Sequence, residues 1–452
     1  MSSAAALPGP GSLATGFDAD TLFFVDDQTA VWFPRTEQLG SSWVRIPAVW
    51  SQLAPGSPPS RSGAPNPRDP HYYWFNLDRA VRDAAASHQH VLLMFESAPS
   101  WALGPGASRA RFAGTWRPNA GEFGAFAHAV AKRYSGHFPD PSHPGRSLPR
   151  VTDFQVWSEP NLASLLEPQW TRTRHGWAPA SPTIYRGLLN AGYRSIKAVQ
   201  PRAQVLAAGL APYGDPPGVD RMRPVEFLRE LLCLHGAGLR PERCRDPAHF
   251  DAIDIHPYAL TPASHALNPD DVSVPDLGRL SRVLRAAGRT RRALPLGRKS
   301  IWVTELDWDS KPPDPGGVSL ARQARYLSQA FYEVWLQGVS HVLWYEPRDP
   351  GSQAARSFTG GGLFFYGGGA KPSSEAFRFP FASIRSGAIV TLWGRAPRAR
   401  NVTIEIARGR GWRRLLRLRP TRGGVFYARR RLGSHAVLRA RQGTVVSPPW
   451  AT

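Results

Sequence analysis

The chain has 452 residues, of which 42% are hydrophobic, and its 51 Arg and 5 Lys against 34 acidic residues give a formal net charge of +22. This length and apolar content are those of a well-packed globular protein with one large domain and room for a small second one. No apolar run approaches the ~20 residues of a membrane span, so none is expected. The first 34 residues contain no Lys or Arg, which does not fit a secretory signal peptide.

Short apolar runs bounded by turn residues predict eight β-strands. These strands are residues 16–18, 43–46, 90–95, 151–157, 204–210, 250–258, 300–305 and 341–345. Segments with helical spacing of apolar residues lie between them, at 76–87, 121–134, 181–199, 225–235, 277–287 and 320–337. The alternation predicts an α/β fold with parallel strands closed into a (β/α)8 TIM barrel. The rival, an open doubly wound sheet, is disfavoured because no Gly-rich phosphate loop follows an early strand.

Two of the predicted strands end on a glutamate. Glu159 ends the fourth strand and is followed by Pro160, which has no N–H and forces the preceding residue out of helical geometry. Glu305 ends the seventh strand. In a parallel barrel the carboxyl ends of the strands form the face where chemistry is done. A pair of carboxyl groups over one cavity is what cleavage of a glycosidic bond requires.

Both glutamates lie in segments that resemble a known group of enzymes. Trp157-Ser158-Glu159-Pro160-Asn161 resembles the Trp-Asn-Glu-Pro-Asn motif of the clan A glycoside hydrolases, and the segment 303–308 resembles their strand-seven nucleophile segment. Over roughly residues 15–380 the order of strands is most similar to families 39 and 5. The resemblance implies a retaining O-glycoside hydrolase, with Glu159 as general acid/base, Glu305 as nucleophile and no cofactor. Ser158 replaces the usual Asn, and this departure is the only sequence support for the alternative, a catalytically weak carbohydrate-binding protein on the same barrel.

The resemblance also implies a set of substrate-binding residues. Arg45 on the second strand would point inward and support the nucleophile, and the sixth-strand residues His256 and Tyr258 would line the subsite, with Tyr258 hydrogen-bonded to the nucleophile. Trp344, at the end of the eighth strand, would form the platform under the sugar, since indole stacks well on sugar C–H faces. Further expected contacts with substrate are Trp101, Trp157, Ser158 and Asn161. The structural alternative is that the His and Tyr only satisfy hydrogen bonds at the barrel mouth and that the aromatic residues belong to the core.

A metal site is not expected. His88 and His90 have the spacing of a metal-binding pair, but they fall before the third strand. That is the stability face of a barrel, where active sites are not built.

The region after the barrel differs in composition. Short strands at 388–393, 402–406, 415–418, 425–428 and 436–438 predict a small antiparallel β-sandwich, and the chain is divided into a catalytic domain, 1–381, and a C-terminal domain, 382–452. From residue 381 onward, 16 Arg and a single acid, Glu405, carry +15 of the +22. This surface is either a soluble exterior or a contact with an acidic glycan or an anionic cell surface. Without an aromatic stacking pattern, specific nucleic-acid binding is not expected. The expected partner of the barrel itself is a carbohydrate.

Two cysteines bear on the compartment. Cys233 and Cys244 either close a short loop as a disulfide, which would favour an oxidising compartment, or remain two buried thiols. A secreted or cell-surface location is expected, with the cytoplasm as the alternative.

Overall fold

The computed structural model describes residues 7–18, 28–56, 64–351, 360–433 and 435–452. Within them, eight parallel strands close into a barrel in sequence order, with the last strand pairing with the first. The strands are β1 (Ala14–Asp18), β2 (Trp43–Val49), β3 (His90–Glu96), β4 (Asp153–Val156), β5 (Gln204–Leu210), β6 (Ala252–Ile255), β7 (Ser300–Val303) and β8 (His341–Trp344). The predicted (β/α)8 barrel is confirmed.

Helices surround the barrel on the outside. They are α1 (Thr29–Gln38), α2 (Phe75–Ala86), α3 (Ala120–Arg133), α4 (Ser181–Val199), α5 (Pro224–Leu231), α6 (Gly278–Arg289), α7 (Leu320–Leu336) and α8 (Pro372–Arg378). Strands such as β3 read as continuous apolar runs because one face packs on the helices and the other fills the barrel. The buried apolar side chains between the barrel strands and the surrounding helices belong to one large hydrophobic core.

The barrel interior follows the two-residue period of the strands. A layer near its amino-terminal end contains Trp43, Leu92, Leu206, Ala252, Trp302 and Leu343. Side chains two residues further along a strand point into the same interior, closer to the carboxyl-terminal face. This period places Arg45 of β2 inside the barrel, and it also places Tyr345, rather than Trp344, on the inner side of β8.

The loops contain several short elements. Two-residue or four-residue strands pair as Trp170–Thr173 with Gly176–Pro179, Leu234–His235 with Arg240–Pro241, Ala248–His249 with Ala293–Leu294, and Ser310–Lys311 with Val318–Ser319. Short helical turns occur at Trp50–Leu53, Ser100–Ala102, Ala107–Arg109 and Val274–Asp276. No helix among the described ranges is both long and apolar enough to cross a membrane.

The helix predicted at 225–235 is shorter than expected. It ends at Leu231, and the chain then turns at Cys233, whose φ is 50°. Cys233 forms a disulfide with Cys244, with the two Cα atoms 5.8 Å apart. The disulfide alternative is therefore the one that the structure shows.

Two antiparallel sheets follow the barrel, as predicted, and they are consistent with a β-sandwich. One sheet contains β9 (Phe381–Ser386), β10 (Ile389–Arg395) and β13 (Val425–Arg431). The other contains β11 (Val402–Arg408), β12 (Gly411–Leu418), β14 (Val437–Gln442), β15 (Val445–Val446) and β16 (Trp450–Ala451). The division of the chain between residues 381 and 382 stays a prediction; the first of these strands begins at Phe381.

The C-terminal sheets pack directly on the barrel. Trp335 on α7 is fully buried, and its ring lies 5.8 Å from that of Trp393 on β10 and 5.9 Å from that of Tyr427 on β13, measured between ring centroids. The hydroxyl of Thr421 donates a hydrogen bond to the backbone carbonyl of Gly11, near the start of the barrel. An aromatic contact of this kind makes the two parts of the chain depend on each other for stability.

Candidate active site

The two glutamates meet at the carboxyl-terminal face of the barrel. Glu159 lies three residues beyond β4, and Glu305 lies two residues beyond β7. Their side chains are 19% and 14% exposed, so both reach the surface and neither is fully solvated. One carboxylate oxygen of each residue and one ring nitrogen of His256 lie within 4.8 Å of one another.

The loop that carries Glu159 has an unusual backbone. Trp157 and Glu159 have φ values of 66° and 41°, in the left-handed region that residues with a side chain rarely adopt. Such conformations cost about 1–3 kcal/mol each and persist where the surroundings hold them. The backbone N–H of Glu159 donates to the carbonyl of Gly209 on β5 at 2.9 Å. The tertiary contact with the neighbouring strand therefore fixes the direction of the Glu159 side chain.

Arg45 anchors the nucleophile candidate from inside the barrel. The side chain of Arg45 is 0% exposed, and its Nη1 lies 2.6 Å from Oε1 of Glu305 and also pairs with the carboxylate of Asp18 on β1. Its Nε donates to Oε1 of Gln155 at 3.0 Å and its Nη2 donates to Oγ of Ser158 at 2.8 Å. A guanidinium held from several sides in this way orients Glu305 and neutralises part of its charge.

His256 lies between the two glutamates. Its Nδ1 is 3.1 Å from Oε1 of Glu159, and its Nε2 is 3.3 Å from Oε1 of Glu305 and 3.4 Å from Oδ2 of Asp254. Burial alone would lower the pKa of His256, but the charge of Glu305 and the hydrogen bonds with Asp254 and Glu159 raise it to about 10. The ring is therefore an imidazolium at neutral pH, with a proton on both nitrogens.

This protonation state bears on metal binding. Glu159, His256 and Glu305 offer ligand atoms at a spacing that a cation could bridge. A metal ligand must be a neutral imidazole with a free lone pair. The imidazolium between these carboxylates would have to release a proton before it could bind a metal ion.

Burial dominates the electrostatics of Glu305. It raises the pKa of Glu305 to about 7, while His256 and Arg45 lower it and Asp18 and Glu159 raise it further. The hydroxyl of Tyr258 donates to Oε2 of Glu305 at 3.3 Å. Burial, followed by the charge of Glu305, raises the pKa of Tyr258 well above its ordinary value, so this hydroxyl remains a donor.

The predicted residues Arg45, His256 and Tyr258 thus lie around Glu159 and Glu305, and Asp254 lies deeper, with its side chain fully buried. Oδ1 of Asp254 accepts the backbone N–H of Thr304 at 3.0 Å, and the hydroxyl of Thr304 bonds its Oδ2. Oγ1 of Thr304 is also 3.2 Å from Nε2 of His256. These contacts fix the ring of His256 from below.

Three of the predicted substrate contacts, Trp157, Asn161 and Trp344, have side chains that the structure encloses in protein. Trp344 is 0% exposed and points away from the barrel interior, where its Nε1 donates to the carbonyl of Gly361 at 2.7 Å. Trp157 is equally buried, and its Nε1 donates to the carbonyl of Leu165 at 2.9 Å. Asn161 is 0% exposed, and its side-chain amide bonds to backbone groups, among them the N–H of Ala211 at 2.9 Å. Trp157 and Asn161 belong to the loop around Glu159, whereas Trp344 packs on the outer side of β8 beside Trp308 and Phe331.

Trp101 and Ser158 are placed differently again. Trp101 is half-buried against Trp50, and its Nε1 donates to the carbonyl of Ala54 at 3.0 Å, which leaves part of the ring at the surface. Ser158 is 5% exposed, and its hydroxyl accepts the hydrogen bond from Arg45. The contact that the structure gives Ser158 is therefore to the residue that orients Glu305.

Sequence reasoning missed several acidic groups and one aromatic residue at this face. Asp18 and Glu96 end β1 and β3, and burial raises the pKa of Glu96, with Arg45 opposing. Glu346 follows β8; it is 6% exposed, its Oε2 has no hydrogen-bond partner among the described residues, and burial raises its pKa to about 8. Tyr345 is half-buried on the inner side of β8. Asp18, Glu96 and Tyr345 could be found from the sequence by asking which side chain at a strand end has the parity of the barrel interior, whereas Glu346 does not share that parity.

Comparison with known proteins agrees with this architecture. No protein-family model and no curated protein sequence matches the chain. Among solved structures, it is similar to a family 39 glycoside hydrolase from Bacteroides cellulosilyticus WH2, with a TM-score of 0.56, 17% identity and coverage of 93% of this chain and 81% of that one. It is also similar to a GH39 enzyme from Xanthomonas axonopodis pv. citri, with a TM-score of 0.51, 15% identity and coverage of 98% and 92%.

A third solved structure is a GH5_18 enzyme variant from Bifidobacterium longum in complex with Manβ1-4GlcNAc, with a TM-score of 0.50, 13% identity and coverage of 81% of this chain and 77% of that one. At these identities the comparison establishes the fold. The expected resemblance to clan A glycoside hydrolases is confirmed at that level, since these three solved structures are glycoside hydrolases of families 39 and 5.

Proposed function

We propose that the protein is a retaining glycoside hydrolase that cleaves an O-glycosidic bond of an oligosaccharide, polysaccharide or glycoconjugate by double displacement. The observation that carries the proposal is the spacing of Glu159 and Glu305, whose nearest carboxylate oxygens lie within 4.8 Å. Retaining enzymes have carboxyl groups about 5–5.5 Å apart, whereas inverting enzymes need about 6.5–9.5 Å to admit a water molecule.

In the first step Glu305 acts as nucleophile. One of its oxygens forms a bond to the anomeric carbon while the bond from that carbon to the leaving oxygen breaks, and Glu159 gives its proton to the leaving oxygen. Arg45 and Tyr258 orient Glu305, and their hydrogen bonds favour its ionised form. In the second step Glu159 takes a proton from water, and the water oxygen replaces Glu305 at the anomeric carbon.

His256 contributes by its charge. As an imidazolium within 3.3 Å of both glutamates, it stabilises negative charge on either one. The negative charge passes from Glu305 to Glu159 during the first step and returns during the second. A cation between the two carboxylates is therefore suited to both half-reactions.

The surroundings support two narrower proposals. The Cys233–Cys244 disulfide favours an oxidising compartment, and hence a secreted or cell-surface enzyme. The 16 Arg from residue 381 onward favour an acidic glycan or an anionic cell surface as a second contact of the C-terminal region. The substrate at the barrel mouth would be a carbohydrate.

A panel of chromogenic aryl glycosides tests the proposed activity. We expect release of the chromophore from at least one glycoside and loss of that release in Glu305→Gln by several orders of magnitude, because the amide is a poor nucleophile. His175→Gln, which changes an exposed side chain on a loop hairpin, is the control and should behave as the wild type. Binding of sugars without turnover of any glycoside would instead support a carbohydrate-binding protein.

A further inference from the structure

The outer face of the second C-terminal sheet carries a built array of arginines. Along β11, the side chains of Val402, Ile404 and Ile406 are buried in the core, so Thr403 and Glu405 point to the opposite face. The residues directly across from these two on the neighbouring strands are all arginine. They are Arg417 and Arg414 on β12, and Arg441 and Arg439 on β14.

Glu405 organises two of these side chains. Its Oε2 accepts from Nε of Arg439 at 2.8 Å, and its Oε1 accepts from Nε of Arg441 at 2.6 Å. Both guanidinium groups are held through Nε, and their terminal Nη atoms have no hydrogen-bond partner in the described parts of the chain. The Arg439 guanidinium also stacks on Trp412, 4.2 Å from the ring centroid. The guanidinium groups of Arg439 and Arg441 are therefore oriented before any ligand binds, which reduces the conformational entropy lost on binding.

The other two arginines complete the array. Arg414 and Arg417 are exposed, and neither has a hydrogen bond or an ion pair with another described residue. The two arginines of β12 and the two of β14 lie on either side of β11. Strands two places apart in a sheet are about 10 Å apart. This spacing is close to the Debye length of ~8 Å at physiological ionic strength. Four guanidinium groups against the single carboxylate of Glu405 leave this face positive, and a bound anion would be attracted by all four.

We propose that this face, defined by Arg414, Arg417, Arg439 and Arg441, binds an acidic polysaccharide through its carboxylate or sulfate groups. The planar fork of each arginine matches an oxyanion with two parallel hydrogen bonds. The choice of a glycan rests on the proposed function, since a second contact with the polymer raises the local concentration of cleavable bonds at the barrel. Nucleic acid fits less well, because Trp412, which could stack on a base, is covered by Arg439.

The test uses the full chain carrying Glu305→Gln, so that the polymer is not degraded, and polygalacturonate as the probe with dextran as the neutral polymer. We expect Arg414→Gln/Arg417→Gln to weaken the Kd for polygalacturonate about tenfold, because each exposed contact between Arg and an anion contributes a few-fold. The matched control is Arg430→Gln/Arg431→Gln, which removes the same charge from two exposed arginines of β13 and should change the Kd less than about twofold. Dextran should not bind measurably.

Three outcomes would overturn the proposal: equal weakening by both double variants, dextran binding as tight as that of polygalacturonate, or tighter binding of single-stranded DNA or of anionic lipid vesicles. If the double variant does not fold, Arg414→Gln and Arg417→Gln are compared singly with Arg430→Gln. The proposed activity is tested apart from this, with small aryl glycosides. A chain that cleaves none of them but binds polygalacturonate through this face loses the hydrolase proposal and keeps this one.

Discussion

The hydroxyl of Tyr258 offers a direct test of how the site sets the ionisation of Glu305. In Tyr258→Phe the ring is kept and only the donor to Oε2 of Glu305, 3.3 Å away, is removed. A hydrogen bond to an ionised group contributes about 1.5–3 kcal/mol, and at this length we expect the lower end. A free energy of about 1.4 kcal/mol corresponds to one pKa unit, so the pKa of Glu305 should rise from about 7 to about 8.

The nucleophile must be ionised, so a higher pKa means less active enzyme at low pH. The acid limb of kcat/KM, measured with a chromogenic glycoside from pH 5 to pH 10, should move up by about one unit in Tyr258→Phe. At pH 6 the variant should therefore lose roughly a further tenfold in kcat/KM beyond any loss that it shows at pH 9. The shift of the limb between the variant and the wild type, rather than its absolute position, is the quantity of interest.

Tyr72→Phe is the matched control. Its hydroxyl donates to the carbonyl of Ala64 and is also buried, but it lies outside the barrel beside Trp74. The acid limb of this variant should coincide with that of the wild type. If Tyr258→Phe left the acid limb unmoved while lowering kcat/KM equally at all pH values, Tyr258 would not control the charge of Glu305, and the electrostatic argument would be refuted.

Two other changes probe the supports of the site. In Ser158→Ala the buried Arg45 loses the acceptor 2.8 Å from its Nη2, so the free energy of unfolding, measured with urea, should fall by about 1–3 kcal/mol. Ser158→Asn keeps an acceptor oxygen and is the comparison. A larger fall in unfolding free energy for Asn than for Ala would contradict a supporting role of this hydrogen bond. Removing residues 381–452 uncovers the indole of Trp335. Exposing roughly 200 Å² of apolar surface at about 25 cal/mol per Å² costs up to about 5 kcal/mol, so the truncated chain should show no cooperative thermal transition by circular dichroism. A truncated chain with the Tm of the intact one would show that the C-terminal sheets are a separable appendage.

Much of the architecture follows from patterns that lie within short segments of sequence. The strands that end at Glu159 and Glu305 are continuous apolar runs interrupted by helical segments, and that alternation is enough to predict a parallel barrel. Both glutamates then fall on its carboxyl-terminal face, where the structure places them. The basic C-terminal strands were likewise visible as alternating apolar residues between turns.

The direction of individual side chains was harder to predict. Trp344 and Tyr345 are neighbours, and only the register of β8 in the closed barrel decides which of them faces the interior. Trp157 lies in the motif that suggests a sugar contact, but its φ of 66° turns the ring into the wall. Backbone conformations in the left-handed region depend on tertiary contacts, which local propensity does not contain.

The partners of Ser158 and Arg45 illustrate a second limit. Residues 45, 155, 158 and 305 come from three different strands and their loops, and no local pattern relates them. A motif that departs from the Trp-Asn-Glu-Pro-Asn pattern at Ser158 suggested an altered sugar contact. The structure instead pairs that hydroxyl with the guanidinium that orients Glu305.

The stereochemistry of azide rescue tests the central claim, that Glu305 is the nucleophile of a double displacement. In Glu305→Ala the cavity left by the side chain admits azide, which attacks the anomeric carbon directly. Proton NMR of the product should show a glycosyl azide whose anomeric configuration is opposite to that of the substrate, while the first sugar released by the wild type keeps the substrate configuration. A first product of inverted configuration from the wild type would contradict the account. Inversion would require a water molecule between Glu159 and Glu305, and their nearest carboxylate oxygens, which lie within 4.8 Å of each other, leave no space for one.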